Sequence, residues 1–175
     1  MLFILFYHII CNSITFHDTD KLTQLMVNKE MNEAITEVFI KNISVIGNKA
    51  FYGCSNIEYV LFQEPLILTT IEESAFEECK ELKSILIPSS VQLIDDRAFY
   101  YCSNLENVSF QEQPSLTTIG ASAFEECKEL KSILIPSSVQ TIGRNAFHYC
   151  SNLENVSFQE QSSLTTINWG YFSRM

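Results

Sequence analysis

Residues 135–153 read Ile135-Pro-Ser-Ser-Val-Gln-Thr-Ile-Gly-Arg-Asn-Ala-Phe-His-Tyr-Cys150-Ser-Asn-Leu153. A short apolar run ends at a proline, which lacks an N–H and stops strand pairing. Val139 and Ile142 form a second apolar pair. Ala146-Phe147-x-x-Cys150 follows, and Leu153 opens the next unit. The pentad Ala-Phe-x-x-Cys also occurs at Ala50-Phe51, Ala75-Phe76, Ala98-Phe99 and Ala123-Phe124, and its spacings are 25, 23, 25 and 23 residues. A fixed period in the low twenties marks a solenoid in which each repeat is one coil. A second period overlies the first. Residues 71–118 align without a gap with residues 119–166, identical at 40 of 48 positions, so a two-coil unit has been copied.

Each coil opens on Leu-x-x-Ile-x-Ile, as in Leu82 to Ile87, or Leu-x-x-Val-x-Phe, as in Leu105 to Phe110. Apolar residues two apart in a β-branched run argue a strand. Six parallel strands are expected: 35–40, 57–62, 82–87, 105–110, 130–135 and 153–158. Their first, fourth and sixth positions face inward. Phe and Cys three apart share one face of a helical turn. Alternate coils carry the longer turn Gln111-Glu-Gln-Pro-Ser, which accounts for the 23/25 alternation. The architecture is an α/β repeat solenoid, a stack of about six parallel strands with short helical turns on the other face.

The order Ile-Pro, Val, Ile-Gly, Ala-Phe, Cys, Leu resembles the BspA-like class of leucine-rich repeats over residues 35–172. The resemblance implies a surface or secreted antigen that adheres to a protein ligand, such as a host or extracellular-matrix protein. Asp95 and Glu72 stand where Gly143 and Gly120 stand in the second copy. That exchange suggests a left-handed turn position which prefers glycine without requiring it.

The domain reading has three parts. Residues 1–16 are a signal-peptide-like apolar segment, 17–34 an N-terminal cap with helical character, and 35–175 the repeats, the last incomplete. Leu2 to Ile10 is too short to span a membrane and reads as a secretory h-region; the alternative is a strand covering the first coil. At the other end, Tyr171-Phe172 falls where Ala-Phe is due. Either Trp169, Tyr171 and Phe172 close the core, or the chain is a truncated member of a longer family.

Composition excludes some functions. A net charge of −10 argues against nucleic acid, which needs clustered Lys and Arg. Five of the six cysteines occupy one column, one per coil, which suits reduced, buried, structural thiols. Paired metal-ligand spacings, a phosphate loop and a nucleophile elbow are all missing from the sequence. His148 aligns with Tyr100, so its position needs no base. The expectation is a non-enzymatic protein, with no cofactor, metal or integral membrane span.

The informative surface is the exposed strand face. Second positions from Glu58 onward read Glu58, Lys83, Glu106, Lys131, Glu154, alternating in sign. Third positions run Glu37, Tyr59, Ser84, Asn107, Ser132, Asn155, and fifth positions Phe39, Leu61, Leu86, Ser109, Leu134, Ser157. An apolar strip near the N-terminal end (Phe39, Tyr59, Leu61, Leu86) marks a partner surface. The candidate binding residues are Tyr59, Leu61, Lys83, Leu86, Glu106, Asn107, Lys131 and Leu134. Asn42, Asn107 and Asn155 begin glycosylation sequons. An extracellular or cell-surface location suits this reading; the alternatives are an intracellular leucine-rich-repeat scaffold and a fragment of a larger surface protein.

Overall fold

The computed structural model describes residues 36–168, together with the backbone of the pair 25–26. The elements are β1 (Leu25–Met26), β2 (Glu37–Ile40), β3 (Val45–Ile46), β4 (Tyr59–Phe62), β5 (Thr70–Ile71), β6 (Ser84–Ile87) and β7 (Leu93–Ile94). They continue with β8 (Asn107–Phe110), β9 (Thr118–Ile119), β10 (Ser132–Ile135), β11 (Thr141–Ile142), β12 (Asn155–Phe158) and β13 (Thr166–Ile167). Two sheets run the length of the stack. One has the order β1-β2-β4-β6-β8-β10-β12, the other β13-β11-β9-β7-β5-β3.

The expected parallel ladder is present, with equivalent residues in register: Glu37 beside Tyr59, Ser84 beside Asn107, Ser132 beside Asn155. The strands start two residues later than the sequence suggests. The leucine that opens each repeat is still tied to the preceding turn, as in the Leu82 N–H donating to the Cys79 carbonyl at 3.1 Å. Leu82, Leu105 and Leu130 are nevertheless fully buried, as their inward assignment requires.

The second sheet replaces what the sequence offered only as an apolar pair. Each of its strands is two residues long and contributes one inward isoleucine, among them Ile71, Ile94, Ile119 and Ile142.

The helical turns are a correction. The residue before each Ala-Phe-x-x-Cys segment and the residue before its Cys are left-handed, such as Ser74 (φ 56°) with Glu78 (φ 60°), and Ser122 (φ 56°) with Glu126 (φ 63°). A right-handed helix cannot pass through them. Alternate N–H groups therefore bond within the coil and to the next one. The Glu77 N–H donates to the Ser74 carbonyl at 3.1 Å, while the Phe76 N–H donates to the Ala98 carbonyl at 2.7 Å. Phe and Cys still share the inner face. The phenylalanines stack from Phe51 through Phe76, Phe99 and Phe124 to Phe147, with centroids 4.9 to 5.6 Å apart.

The glycine reading is also corrected. The left-handed residues are Ser74, Arg97, Ser122 and Asn145, two beyond the Gly position, and neither Gly120 nor Gly143 has positive φ. Glycine sits there because the coils touch. A Cβ on Gly120 would lie 2.5 Å from the Asp95 carbonyl carbon.

Cys79, Cys102, Cys127 and Cys150 are free, buried thiols. Each donates to the phenylalanine carbonyl of the preceding coil, at 3.1 to 3.3 Å. Cys54 departs from the expectation of five reduced thiols, since it is disulfide-bonded. At the N-terminal end, Leu25 and Met26 pair antiparallel with Ile40 and Phe39, as a strand rather than a helix. The rest of the expected cap, the signal-like segment and the Trp169–Phe172 closure lie outside the described residues.

Candidate functional site

Strand alternation decides what the exposed face carries. In β6, Ile85 and Ile87 enter the core, while Ser84 and Leu86 face out. The same phase holds in β4 and β10, so alternation turns Tyr59, Leu61, Leu86, Asn107 and Leu134 to one face, while Lys83, Glu106 and Lys131 each stand one residue before a strand. Leu61, Leu86 and Leu134 are 42%, 48% and 49% exposed. Glu106, Asn107 and Lys131 are exposed; Tyr59 and Lys83 are half-buried.

The apolar strip is interrupted. Phe39 is half-buried on the strand flanked by β1, and Leu134 extends the strip beyond Ser109. The sequence reading missed Phe158, which it assigned to the core from its sixth position. Phe158 is exposed because β12 is the last strand of the sheet.

Charges on the second positions resolve into pairs. Among the described residues, Lys83 bonds to Glu58, and Lys131 Nζ lies 3.5 Å from Glu106 Oε2. The hydrogen bond that Lys83 donates to the Glu58 carboxylate raises the ammonium above its ordinary pKa. Lys83 Nζ also stands 5.7 Å from the Tyr59 ring centroid. Tyr59, Glu58 and Lys83 thus form one ordered cluster at the side of the leucine strip.

Chemistry elsewhere is quiet. Burial pushes the Cys79 and Cys150 thiols up to about 12, and raises Cys102 and Cys127 well above the ordinary value. A thiol so held is not a nucleophile at neutral pH. His148 Nδ1 lies 3.1 Å from Glu125 Oε1, while the Cys150 sulfur is bonded to the Phe124 carbonyl, so the two do not form a Cys/His pair. Among the described residues, no group of three or more His, Cys, Asp or Glu side chains is placed to hold a metal ion. No helix among them is long and apolar enough to cross a membrane.

Comparison with known proteins bears on the family and the fold. A family model described as a BspA type leucine rich repeat region matches in six copies, over residues 5–102, 31–147 and 69–175. Among curated proteins none matches at a significant level. The structure is similar to the pneumococcal vaccine antigen PcpA, with 28% identity and a TM-score of 0.68 over 73% of this chain and 31% of that one. It is similar to a leucine-rich repeat protein of T. pallidum, with 26% identity and a TM-score of 0.62 over 79% and 70%. A leucine-rich cell surface protein of Faecalibacterium prausnitzii gives 29% identity and a TM-score of 0.53, over 73% and 40%. The chain therefore spans under a third of the pneumococcal antigen's length.

Proposed function

The chain belongs to the BspA-type leucine-rich repeat family, and on that premise we propose that it is a non-enzymatic protein-binding module, secreted or held at the cell surface. Its ligand, a host or extracellular-matrix protein, docks on the exposed strand face. The observation that carries this reading is the row of leucines at Leu61, Leu86 and Leu134, each more than two-fifths exposed, with both strand neighbours buried at Leu86 and Leu134 and Val60 buried beside Leu61. Leucines held outward on a rigid sheet contribute nothing to the core, and apolar surface of this kind is what partner proteins cover. Tyr59, Lys83, Glu106, Asn107 and Lys131 supply a polar rim. Descriptions of similar proteins as a vaccine antigen and a cell surface protein support the location.

The test is binding of the purified protein to a panel of immobilised extracellular-matrix proteins. Tyr59→Ser with Leu61→Ser should weaken capture at least tenfold and leave the circular dichroism spectrum and melting temperature nearly unchanged. Unfolding of the double variant would show that these residues belong to the core, against the reading.

A second reading, an intracellular scaffold, draws on the four reduced thiols, while the disulfide at Cys54 suits an oxidising compartment instead. Protease accessibility on intact cells separates the two. A tag inserted after the exposed Ser163 should be removed by external protease if the chain is at the surface. Full protection of the tag would move the search to cytoplasmic partners.

A further inference from the structure

We propose that the cleft at the ends of β9 and β11, on the second sheet, binds an acidic sugar, a uronic-acid unit held by its carboxylate and its hydroxyls. This site is separate from the strand face. The two copies of the duplicated unit differ at eight of 48 positions. Five of the eight second-copy residues, Gly120, Ala121, Thr141, Gly143 and Arg144, line this one cleft of about 570 Å³. Their first-copy counterparts are Glu72, Glu73, Leu93, Asp95 and Asp96. Two otherwise matching coil pairs have thus diverged chiefly at one place.

In the first copy these positions are acidic and engaged. The Asn48 N–H donates to Glu72 Oε2 at 2.8 Å, and the Asn48 side-chain amide donates to Glu73 Oε2 at 3.2 Å. In the second copy, two glycines, an alanine and an arginine stand where the first has four carboxylates, so the local charge changes sign. Close contact between coils accounts for the glycines. It asks nothing of Thr141 or Arg144. Arg97 stands over the Tyr100 ring, 5.9 Å from its centroid. The exposed Arg144 guanidinium has no such partner among the described residues. Asp96 lines the same cleft two coils away, and its Oδ1 accepts from the Ala121 N–H at 2.6 Å, leaving its second oxygen open. The opposite charges of Asp96 and Arg144 therefore flank the cleft without bonding to each other.

These groups define the ligand. An unpaired guanidinium takes a carboxylate through two parallel hydrogen bonds. The open oxygen of Asp96 only accepts, so the far end of the ligand must donate, as a hydroxyl does. Thr118 and Thr141 are paired across β9 and β11 and face outward, while Ile119 and Ile142 face the core. Their hydroxyls both donate and accept. One carboxylate and several hydroxyls on a compact ring describe a uronic acid. A phosphate brings a second negative charge beside Asp96 and fits less well. A peptide C-terminus is usually held by backbone N–H groups. Here those of Gly120, Ala121 and Gly143 are already bonded to Ile94, Asp96 and Ile119, so recognition falls to the side chains.

The experiment titrates the full chain by ligand-observed NMR with methyl β-glucuronide, methyl β-glucoside, acetate, inorganic phosphate and a short peptide with a free C-terminus. The glucuronide should bind, and each of the others should bind at least about tenfold more weakly. Arg144→Gln removes the guanidinium. Thr141→Leu introduces the residue that the first copy carries at Leu93, so the fold accepts it. Each should weaken glucuronide binding at least about tenfold with the melting temperature nearly unchanged. The Tyr59→Ser/Leu61→Ser double variant should bind the glucuronide as the parent chain does, which separates this site from the strand face. Absence of glucuronide binding, or indifference to both cleft substitutions, overturns the proposal. Equal binding of the glucoside would make the charge irrelevant, and equal binding of acetate or phosphate would reduce the site to an adventitious ion only. Equal binding of the peptide would assign the cleft to a chain terminus. Each of these also overturns it.

Discussion

At Gly143 a Cβ would lie 2.5 Å from the Gly120 carbonyl carbon, a contact with backbone that no rotamer can relieve. Gly143→Ala should therefore push two coils apart and cost about 1–3 kcal/mol, the usual penalty of overpacking. Urea denaturation measures it, and an unchanged midpoint would remove the steric account. The sequence shows that Gly143 alternates with Asp95, but that exchange suggests a preference in φ. The true constraint is distance to a neighbouring coil, which no single repeat displays. Exposure of Leu61, Leu86 and Leu134 was legible, because a period of two with buried fourth and sixth positions leaves the fifth outside. The charge pairing was legible only in part. Alternation in sequence permits either neighbour as partner, and Lys83 and Lys131 each take the glutamate of the preceding coil.

Among the elements, the thiol ladder makes a pH prediction. Burial raises Cys79 and Cys150 from 9.0 to about 12 in the folded state. The neutral thiol is the form that folding favours, so the unfolded chain loses its proton first as pH rises. The stabilisation is complete below pH 9 and is lost as pH climbs from about 9 to about 12, at up to about 1.4 kcal/mol per pH unit for each thiol. Denaturation midpoints measured across that window should fall less steeply in a Cys79→Ala/Cys150→Ala variant than in the parent chain. Equal slopes would mean that the thiols are not held neutral by burial. The parallel ladder was readable from periodicity and duplication together, since each strand carries two inward residues and a fixed register. The second sheet was not, because a two-residue strand offers one inward residue and no alternation to detect. The helical turn was misread for a related reason. A Phe–Cys spacing of three fits a helix and also fits alternating right- and left-handed residues, and only φ separates them.

Across the whole molecule, the two sides of the stack carry separate sets of lysines. The Ala-Phe-x-x-Cys turns bear Lys80 and Lys128, each salt-bridged to a glutamate of its own turn and each over the Tyr101 ring. The strand face bears Lys83 and Lys131. Fold and family were legible from the repeat, while the ligand was not, because exposed positions carry no packing constraint that sequence alone could reveal. The most direct test is lysine acetylation footprinting by mass spectrometry on the intact protein, with and without the matrix protein that it captures best. The account predicts that Lys83 and Lys131 become protected in the complex while Lys80 and Lys128 stay reactive. Protection of Lys80 and Lys128, with Lys83 and Lys131 still reactive, would place the ligand on the opposite side of the stack and contradict it.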